Sequence, residues 1–335
     1  MIKTAVVILN YNGEKLLRQF LPSAIEHTHG AELIVADNGS TDQSISILEK
    51  EFPSVRIILL EKNFGFCGGY NRALAQVDAD AYVLLNSDVE VTANWLLPML
   101  RLLETDSTVA AIQPKILSYQ DKTKFEYAGA AGGFIDALGY PFCRGRIFNH
   151  IETDDGQYND QRDIFWASGA CLMIRANIYK KFGGLDEDLF AHMEEIDLCW
   201  KIHRSSDKVC YCGSSTVYHL GAGTLGYKQP RKTYYNFRNG LTLIFKHLDT
   251  WELFLKLPVR FMLDWVAAFI FLAKGQPGNM IAVLRAHYRF LRHLNKNLRK
   301  RRLLRSEYPH YSRKTIRPGL VIVDYYFKQK KTFVQ

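Results

Sequence analysis

Short, largely apolar runs recur along the first part of the chain, and each stops at a polar cluster that a helical pattern follows. The runs are Thr4–Leu9, Glu32–Ala36, Val55–Leu60 and Ala81–Leu85. Apolar, β-branched runs of this length are typical of buried parallel strands. Their alternation with helices predicts a doubly wound sheet with right-handed crossovers.

The polar residues after these strands are the first candidates for a binding site, because ligands of open α/β sheets bind at the carboxyl ends of the strands. We expect one edge to collect Asn10, Tyr11, Asp37, Asn38, Asn71 and Asp88. Asp88 would then stand where a divalent metal and a phosphate-bearing ligand could meet. Alternatively, these clusters are ordinary turns, and Ser87 and Asp88 cap a helix that begins near Thr92.

The glycines do not form a known phosphate-binding loop. Gly65, Gly68 and Gly69 lack the spacing of dinucleotide-binding folds, and no Gly-x-x-x-x-Gly-Lys-Ser/Thr motif occurs. The charge of a bound diphosphate would therefore have to be met by a metal and by local donors.

The middle of the chain is less periodic. We expect a strand near Val109–Ile112, followed up to residue 165 by loops or hairpins that could shape an acceptor cleft. A further strand is predicted over Phe165–Arg175, entered through a small-residue turn where backbone could approach a ligand closely. Val209–Cys212 and Thr216–Leu220 are predicted to be closing strands, followed by a glycine-punctuated loop at 221–226.

Acidic residues begin the next predicted helix, whose apolar face would carry Leu189, Met193, Ile196 and Trp200. The helix dipole favours acids in a first turn whatever their role. A carboxylate that faces the sheet edge from this position could also act as a general base, and Glu194 and Glu195 are the candidates. His219, at the end of the last strand, is either a structural residue or completes a metal site with Asp88.

Beyond about Thr233 the composition shifts to apolar and aromatic runs broken by cations. Leu253–Ala273 is not expected to span a bilayer, because its longest uncharged piece, Trp265–Ala273, is nine residues. Its charges at 256, 260 and 264 share one helical face. We therefore divide the chain into an N-terminal domain, 1–232, and a mainly helical, basic region, 233–335.

The net charge of +9 comes largely from this C-terminal region, where Arg285–Arg305 holds nine Lys or Arg and no acid. The cations run beside an apolar stripe made of Met280, Leu284, Tyr288, Leu291, Leu294 and Leu298. This pattern predicts helices that lie on an anionic membrane surface. The alternatives are packing on the N-terminal domain or on a second subunit of a homodimer. Nucleic acid is not an expected partner, since no binding motif accompanies the charge.

The chain has the composition of a folded protein, with 47% apolar and 23% charged residues. Its six cysteines show no Cys-x-x-Cys pair and are expected to be reduced, buried thiols of a cytoplasmic protein. The start of the chain does not match a signal peptide, so we expect the mature protein to begin there.

In this order the motifs resemble the inverting, nucleotide-sugar-dependent glycosyltransferases of family 2, in the branch that includes bacterial rhamnosyltransferases. The matching segments are Val7–Gly13, Val35–Asp42, Asn63–Arg72, Leu84–Asp88, Trp166–Ala170, Glu194–Cys199, His219 and Tyr234–Asn239. The resemblance implies a GT-A fold, which is a Rossmann-like, mixed but mainly parallel sheet flanked by helices. Here it would carry a C-terminal helical extension.

The resemblance also implies roles for matching residues. Asp37 would recognise a pyrimidine, Asp88 would bind Mg²⁺ or Mn²⁺ with His219 as a further contact, and Glu195 would be the general base beside Glu194. Glu195 departs from the family, which usually has Asp there. The implied nucleotide-sugar pocket comprises Asn10, Tyr11, Asp37, Asn38, Gly69, Asn71, Asn86, Ser87, Trp166, Ser168 and Gly169. Asn86 stands in place of an acid and would contact the donor without binding the metal.

The implied activity is metal-assisted, inverting transfer of a sugar from a UDP- or dTDP-linked donor to a hydroxyl of a glycan or lipid-linked acceptor. The enzyme would work as a peripheral protein on the cytoplasmic face of a bacterial inner membrane, in polysaccharide and cell-envelope synthesis. Two other hypotheses stay open. The chain could be a catalytically silent, membrane-docked scaffold of a glycan-assembly complex, or a nucleotidyltransferase on a similar sheet.

Overall fold

The computed structural model describes residues 2–221 and 230–333. Strands and helices alternate in the first part of the chain as the sequence predicts. Their bounds are β1 (Thr4–Asn10), α1 (Glu14–His27), β2 (Glu32–Asp37), α2 (Ser44–Glu51), β3 (Arg56–Leu59), α3 (Gly65–Leu74), β4 (Ala81–Asn86), β5 (Val89–Val91) and α4 (Leu96–Thr105). The predicted loop at 221–226 lies outside the described residues after Gly221.

The middle of the chain adds short strands and two helices. They are β6 (Val109–Ser118), β7 (Gly133–Ile135), β8 (Pro141–Cys143), β9 (Arg146–Ile147), β10 (His150–Ile151), β11 (Gln161–Ile164), β12 (Cys171–Arg175), α5 (Ala176–Lys181), α6 (Glu194–Arg204) and β13 (Lys208–His219). The C-terminal region is helical, as expected. Its elements are α7 (Pro230–His247), α8 (Thr250–Ala273), α9 (Pro277–Arg292), α10 (Leu294–Glu307) and α11 (Val321–Tyr326).

The central sheet has the strand order β11-β13-β6-β12-β4-β1-β2-β3, and β5 pairs with β13. The strands β4, β1, β2 and β3 are parallel. β12 runs antiparallel to both β4 and β6, so β6 and its parallel neighbour β13 point the same way as β1. The predicted α/β class with a mixed, mainly parallel sheet is confirmed. A separate small sheet joins β7 to β10.

Several predicted elements differ from the structure in extent. The strand near Val109 is longer than expected and reaches Ser118, whereas the strand predicted over Phe165–Arg175 begins only at Cys171. The two predicted closing strands form one strand, β13, with an irregularity between Cys212 and Thr216. Short-range patterns do not fix such ends, because tertiary pairing extends or shortens a strand.

The helix that follows β4 begins later than its predicted start near Thr92. β5 occupies residues 89–91, and α4 begins only at Leu96, after the N-cap residue Trp95. Ser87 and Asp88 therefore do not cap a helix. They form the turn that sends the chain from β4 back into β5.

The sheet is covered on both faces, and successive residues of one strand alternate between two hydrophobic clusters. Ala5 and Val7 face one cluster, while Val6 and Ile8 face the other. The first cluster also contains Leu241, Leu243 and Ile244 of α7, Leu248 directly after α7, and Phe290 of α9. One core thus crosses the predicted boundary at 232/233, and the division into two domains stays a prediction. The six cysteines are buried and unpaired, as expected.

Helix α8 presents its apolar side to the surface. Arg260 and Asp264 are 3% and 1% exposed, whereas Phe254 and Phe269 are 81% and 62% exposed. Arg260 donates to the carbonyl oxygen of Leu138 at 2.9 Å, and Asp264 pairs with His287 at 3.1 Å. The charges that the sequence places on one face therefore hold α8 to the protein. No helix in the described ranges is both long and apolar enough to cross a membrane.

Gly133 joins the small sheet to the central one. It forms a bridge with Trp166, and a Cβ atom at this position would lie 2.1 Å from the Trp166 ring. The indole Nε1 donates to the carbonyl oxygen of Phe134 at 3.0 Å, so the ring cannot easily move away.

We expect Gly133→Ala to lower the free energy of unfolding by about 1–3 kcal/mol or more, because overpacking forces a buried ring and a backbone apart. The measurement is urea unfolding at equilibrium. Gly169→Ala is the matched control, since its Cβ would meet only the Phe66 ring at an ordinary 3.5 Å. Equal stability of the two variants would contradict the close approach at Gly133.

Candidate active site

The strand directions bring the ends of β1, β2, β4 and β13 to one edge of the central sheet. Asn10 lies opposite Asp37 in the β1–β2 register, and His219 lies opposite Ser118 at the ends of β13 and β6. β5 then runs antiparallel to the end of β13 and pairs Val89 with His219. This register sets Asp88 beside His219 although 131 residues separate them.

Asp88, His219 and Glu126 form a buried polar cluster at this edge. The Nε2 atom of His219 lies 3.1 Å from Oδ1 of Asp88, and its Nδ1 lies 3.5 Å from Oε1 of Glu126. The backbone N–H of Leu220 also donates to the carbonyl oxygen of Asp88 at 3.0 Å. Burial by itself lowers the pKa of His219, but the two carboxylates outweigh it and raise the pKa to about 10.

The predicted ligands Asp88 and His219 suit a divalent cation only if a substrate supplies further ligands to the coordination shell of the cation. Within the described residues, no three His, Cys, Asp or Glu side chains form a ready-made metal cage. Mg²⁺ and Mn²⁺ are commonly held by one or two carboxylates together with phosphate oxygens and water. Asp88 and His219 offer an oxygen and a nitrogen from neighbouring strand ends, with Nε2 of His219 3.1 Å from Oδ1 of Asp88. This donor set matches a metal bound jointly with a diphosphate.

Asn10, Asp37 and Ser40 form a hydrogen-bonded floor at the ends of β1 and β2. Asn10 Nδ2 donates to Oδ1 of Asp37 at 2.9 Å, and the N–H of Ser40 donates to Oδ2 at 2.8 Å. Tyr11, by contrast, is 45% exposed. The floor leaves one buried acceptor without a partner, Oδ1 of Asn10. A ligand donor that reached this oxygen would remove the cost of leaving it unpaired.

Several other predicted pocket residues have their polar atoms bound by the protein. The side-chain amide of Asn38 forms hydrogen bonds with Asn63, Phe64 and Gly65. These bonds connect the turn after β2 to the start of α3. Gly69 lets α3 approach β1, because a Cβ there would lie 2.9 Å from Leu9 and from Asn38. These residues shape the loops around the edge and do not offer free groups to a ligand.

Asn71, Trp166 and Ser168 are likewise engaged inside the fold. Asn71 accepts from the Tyr179 hydroxyl at 2.7 Å and exchanges hydrogen bonds with the backbone of Leu185. Ser168 Oγ donates to the carbonyl oxygen of Ala128 at 2.6 Å, and Trp166 is 6% exposed. Asn86, Ser87 and Gly169 keep partly exposed positions at the edge, where the N–H of Asn86 donates to the carbonyl oxygen of Ala170.

Helix α6 begins with the two predicted catalytic acids. Glu194 is 6% exposed and Glu195 is partly exposed, and the Oε2 atom of each is buried without a hydrogen-bond partner. Burial and the charge of Glu195 raise the pKa of Glu194 well above its ordinary value. Burial raises the pKa of Glu195 to about 7. Unpaired, desolvated carboxyl groups with such pKa values are typical of proton-transferring residues.

The turn before α6 has an unusual backbone. Phe190, His192 and Met193 all have positive φ angles, between 65° and 71°. Non-glycine residues in this region cost about 1 kcal/mol or more each and persist only where neighbouring groups hold them. The turn also contacts the start of α3, since the Phe190 ring would lie 3.2 Å from a Cβ on Gly65.

Arg238 and Asn239 of α7 hold this turn. The buried Nδ2 of Asn239 lies 2.7–3.1 Å from the carbonyl oxygens of Leu189, Ala191 and His192. Arg238 donates to the carbonyl oxygens of Asp188 and Leu189 and, through Nε, to Oδ1 of Asn239. Tyr234–Asn239 is one of the segments that resemble the family, but the sequence predicts no role for it. In the structure its residues Arg238 and Asn239 hold the backbone that precedes Glu194.

The third acid of α6 has a different environment. Asp197 is fully buried and pairs with Lys201, Lys246 and His247 at 2.8–3.1 Å. Burial would raise its pKa, but Lys201 and Lys246 outweigh this effect and lower it well below the ordinary value. Asp197 stays ionised and fastens α6 to α7, so its place in the first turn serves packing.

Loop 125–131 and the small sheet bring further groups to the site that sequence reasoning did not identify. Glu126 contacts His219, and the Arg146 guanidinium stacks 3.6 Å from the centre of the Tyr127 ring. Burial raises the pKa of Cys143 to about 11, the charge of Arg146 opposes this rise, and the charges of Glu126 and Glu195 add to it. No periodicity in residues 109–165 marks Glu126 or Arg146, because both lie in irregular or two-residue elements.

A cavity of about 850 Å³ lies elsewhere, between the start of α8 and the end of α10. Its lining residues are Asp249, Thr250, Trp251, Phe254, Leu255, Arg305, Pro309 and His310. None of them belongs to the predicted nucleotide-sugar or metal site. This cavity opens on the apolar side of α8 and is separate from the sheet edge.

Comparison with known proteins gives consistent matches. The family model described as glycosyl transferase family 2 matches residues 5–183. The N-acetylglucosaminyl-diphospho-decaprenol L-rhamnosyltransferase of Mycobacterium tuberculosis is 27% identical over 240 residues, which cover 66% of this chain and 77% of that protein.

Solved structures share the fold at low sequence identity. Mannosyltransferase PcManGT from Pyrobaculum calidifontis, in complex with GDP-Man and Mn²⁺, superposes with a TM-score of 0.53 at 14% identity, over 92% of this chain and 83% of that one. GalNAc-T7 with UDP, GalNAc and Mn²⁺ gives a TM-score of 0.53 at 16% identity, over 76% of this chain and 54% of that one.

The raised pKa of Glu195 makes stability depend on pH. The folded pKa of about 7 lies above the ordinary value of 4.5, so the native protein keeps this proton at pH values where the unfolded chain has lost it. The free energy of unfolding should therefore fall as the pH rises from about 4.5 through 7. In Glu195→Gln the decrease in the free energy of unfolding with pH should be smaller by about 2–3 kcal/mol, because the amide does not titrate.

The measurement is urea unfolding at pH 5 and pH 8 of the wild type, Glu195→Gln and the exposed control Glu104→Gln. The control should keep the pH dependence of the wild type. The same pH dependence in all three proteins would show that Glu195 titrates normally.

Proposed function

Since the chain belongs to glycosyl transferase family 2 and has the GT-A fold, we propose that it transfers a sugar from a UDP- or dTDP-linked donor to a hydroxyl of a glycan or lipid-linked acceptor, with inversion. The observation that carries this proposal is Glu195, at the start of α6, whose Oε2 atom is buried without a hydrogen-bond partner and whose pKa is raised to about 7 by burial. The family supports the glycosyltransferase class, and the remaining details are our proposal.

The donor's nucleotide would lie over the ends of β1 and β2. Tyr11 is exposed there and can pack on the base, while Oδ1 of Asn10 is the buried acceptor without a partner. Both carboxylate oxygens of Asp37 bind Asn10 and Ser40, so we assign Asp37 to fixing this floor and orienting the Asn10 amide towards the nucleotide. Asn86 and Ser87 stand at the neighbouring strand end and are placed to contact the ribose or the sugar.

Asp88 and His219 would hold Mg²⁺ or Mn²⁺ together with the donor's diphosphate. When bound, such an ion neutralises the charge that develops on the leaving nucleoside diphosphate. His219 must then be neutral at the nitrogen that binds the metal, and Glu126 can accept the hydrogen of the other ring nitrogen. An acid behind a metal-bound imidazole fixes its tautomer and orientation. The Mn²⁺-containing fold relatives support this assignment.

Glu195 would be the general base. Its carboxylate takes the proton of the acceptor hydroxyl as that oxygen attacks the anomeric carbon from the face opposite the leaving group. The bond from this carbon to the phosphate oxygen breaks, and its electron pair leaves with the nucleoside diphosphate. A base with a pKa near the working pH combines an available ionised form with useful basicity.

Glu194 is the less suitable base of the two. It is more deeply buried than Glu195, and its pKa is raised further by the neighbouring charge. Two adjacent carboxyl groups in one desolvated site do not readily ionise together. We therefore assign Glu194 to the protonated neighbour and Glu195 to the base.

Substitution of Asp88 and of Glu195 should affect different steps. Asp88→Ala should abolish sugar transfer and weaken metal-dependent nucleotide binding. Glu195→Gln should lower kcat by about 10²–10⁴-fold with nucleotide binding intact, because it removes only the proton acceptor. The measurements are radiolabelled sugar transfer and calorimetric titration with UDP or dTDP in Mg²⁺ and Mn²⁺.

Glu104→Gln is the control for loss of an exposed acid. Full transfer activity in Asp88→Ala or Glu195→Gln would defeat the assigned roles. Nucleotide binding without transfer from any donor by the wild type would favour the scaffold hypothesis. Release of pyrophosphate in place of a nucleoside diphosphate would favour nucleotidyl transfer.

We also propose that α8 and α9 dock the protein on the cytoplasmic face of an anionic membrane. The outward side of α8 carries Phe254, Met262 and Phe269, which are 81%, 59% and 62% exposed. Arg285, Arg289 and Arg292 are exposed on α9. Exposed aromatic side chains together with exposed cations match an interface of acyl chains and anionic headgroups. The cavity at the start of α8 opens on the same apolar side.

We expect the wild type to sediment with vesicles that contain phosphatidylglycerol, and less with pure phosphatidylcholine. The double variant Phe254→Asp and Phe269→Asp should lose most of this binding, because it places two charges in the apolar surface. Leu97→Asp, at an exposed position on α4, is the control. Unchanged sedimentation of the double variant would contradict membrane docking. A dimer of the wild type that the double variant dissociates, without vesicle binding, would assign the same surface to a second subunit.

A further inference from the structure

The guanidinium of Arg146 has N–H donors without hydrogen-bond partners, whereas that of the nearby Arg144 is well paired. Arg144 donates to both oxygens of Asp160 at 2.7 and 2.9 Å and to the carbonyl oxygen of Ala131 at 2.9 Å. In Arg146 the Nε and Nη1 atoms are buried, and neither has a hydrogen-bond partner. When a buried N–H donor of a charged group has no hydrogen-bond partner, the cost is about 1–3 kcal/mol or more. Two such donors on one guanidinium indicate that a group outside the chain pairs with them.

The orientation of Arg146 is fixed from two sides. Its backbone sits in the small sheet, paired with Cys143 of β8 and Ile151 of β10. Its guanidinium lies 3.6 Å from the centre of the Tyr127 ring, which is stacking distance. The fork of N–H groups is thus presented in a set plane while the side chain remains partly exposed. Preorganised forks of this kind suit bidentate binding of phosphate or carboxylate.

A second cation shares this platform. Lys232 Nζ lies 5.5 Å from the centre of the same Tyr127 ring. Burial lowers the pKa of Lys232, and the charge of Arg146 lowers it further, whereas Glu126 opposes them. Two like charges held together and partly desolvated are costly unless an anion lies nearby.

The nearest acid is already engaged. Glu126 has Oε1 at 3.5 Å from His219, and its Oε2 accepts the backbone N–H of Ala128. Among the described residues, Arg146 forms no ion pair with a carboxylate. Glu126 contacts His219, and the ring of the next residue, Tyr127, carries both cations, so one loop connects these cations to the proposed diphosphate and metal site.

We propose that Arg146, with Lys232, forms a second anion subsite that binds a phosphoryl group of a substrate, next to the Asp88–His219 site. This inference rests on the proposed function for the identity of the substrate. The phosphoryl group belongs either to the diphosphate of the donor or to a phosphate that links the acceptor to its lipid. In both cases the guanidinium fork takes two phosphate oxygens, and Lys232 supplies a second positive charge.

Binding without turnover tests the subsite. Calorimetric titrations of the full chain with inorganic pyrophosphate, UDP and farnesyl diphosphate, with and without Mg²⁺, compare the wild type with Arg146→Gln and Arg146→Lys. Charged hydrogen bonds to a buried partner predict a loss of affinity of about 10- to 100-fold in Arg146→Gln. Arg146→Lys should recover only part of the loss, because an ammonium group cannot donate as a fork. Arg101→Gln, an exposed site on α4, controls for net charge.

The two sources of the phosphoryl group give different results. Weakened UDP binding with unchanged farnesyl diphosphate binding assigns the subsite to the donor, and the reverse assigns it to the acceptor. Affinities of Arg146→Gln and Arg146→Lys within twofold of the wild type for all three probes would overturn the proposal. If Arg146→Gln fails to fold, Arg146→Lys alone decides. These titrations need no sugar transfer, so an inactive wild type would count against the proposed function and not against the subsite.

Discussion

The hydrogen bonds from Asn239 to the turn before α6 are the constraint on which the candidate site depends. This turn contains three non-glycine residues with positive φ angles, and an isolated chain would not keep them there. Asn239 and Arg238 satisfy the carbonyl groups that such a backbone exposes. Asp197 with Lys246 and His247 secures the helix one turn further on. Helix α7, the first helix of the C-terminal region, thereby holds the carboxyl groups of Glu194 and Glu195 in a desolvated position.

Burial without hydrogen bonds gives these carboxyl groups their chemical character. A carboxylate that accepts several hydrogen bonds stays ionised and weakly basic, as Asp197 does. Glu194 and Glu195 lack such partners at Oε2, and their raised pKa values follow from that lack. The pKa values of acids in one helix turn are thus shifted in opposite directions by the contacts that the fold supplies to each.

The sheet edge separates structural polar residues from those left for a ligand. The side chains of Asn38, Asn71 and Ser168 form hydrogen bonds within the protein, around this edge. Buried polar atoms without partners occur in several parts of the described chain, and those at the proposed nucleotide, phosphate and base positions are on Asn10, Arg146, His219 and Glu195. Because leaving a buried polar group unpaired is costly, a substrate that pairs with these atoms would stabilise the complex.

The sequence by itself determined the strand and helix alternation, the parallel sheet and the family, because apolar periodicity and short motifs are local properties of the chain. It also brought Asp88, His219 and Glu195 forward as candidates. Only the tertiary structure decided that Asp88 starts a reversed strand and not a helix, and that the charged face of α8 is turned inwards onto Leu138 and His287. It also supplied Glu126, Arg146 and the Asn239 clamp, which no local pattern predicts. Their roles come from contacts between residues that are distant in sequence, such as Asn239 with His192 and Glu126 with His219, and such contacts are set by packing and strand register.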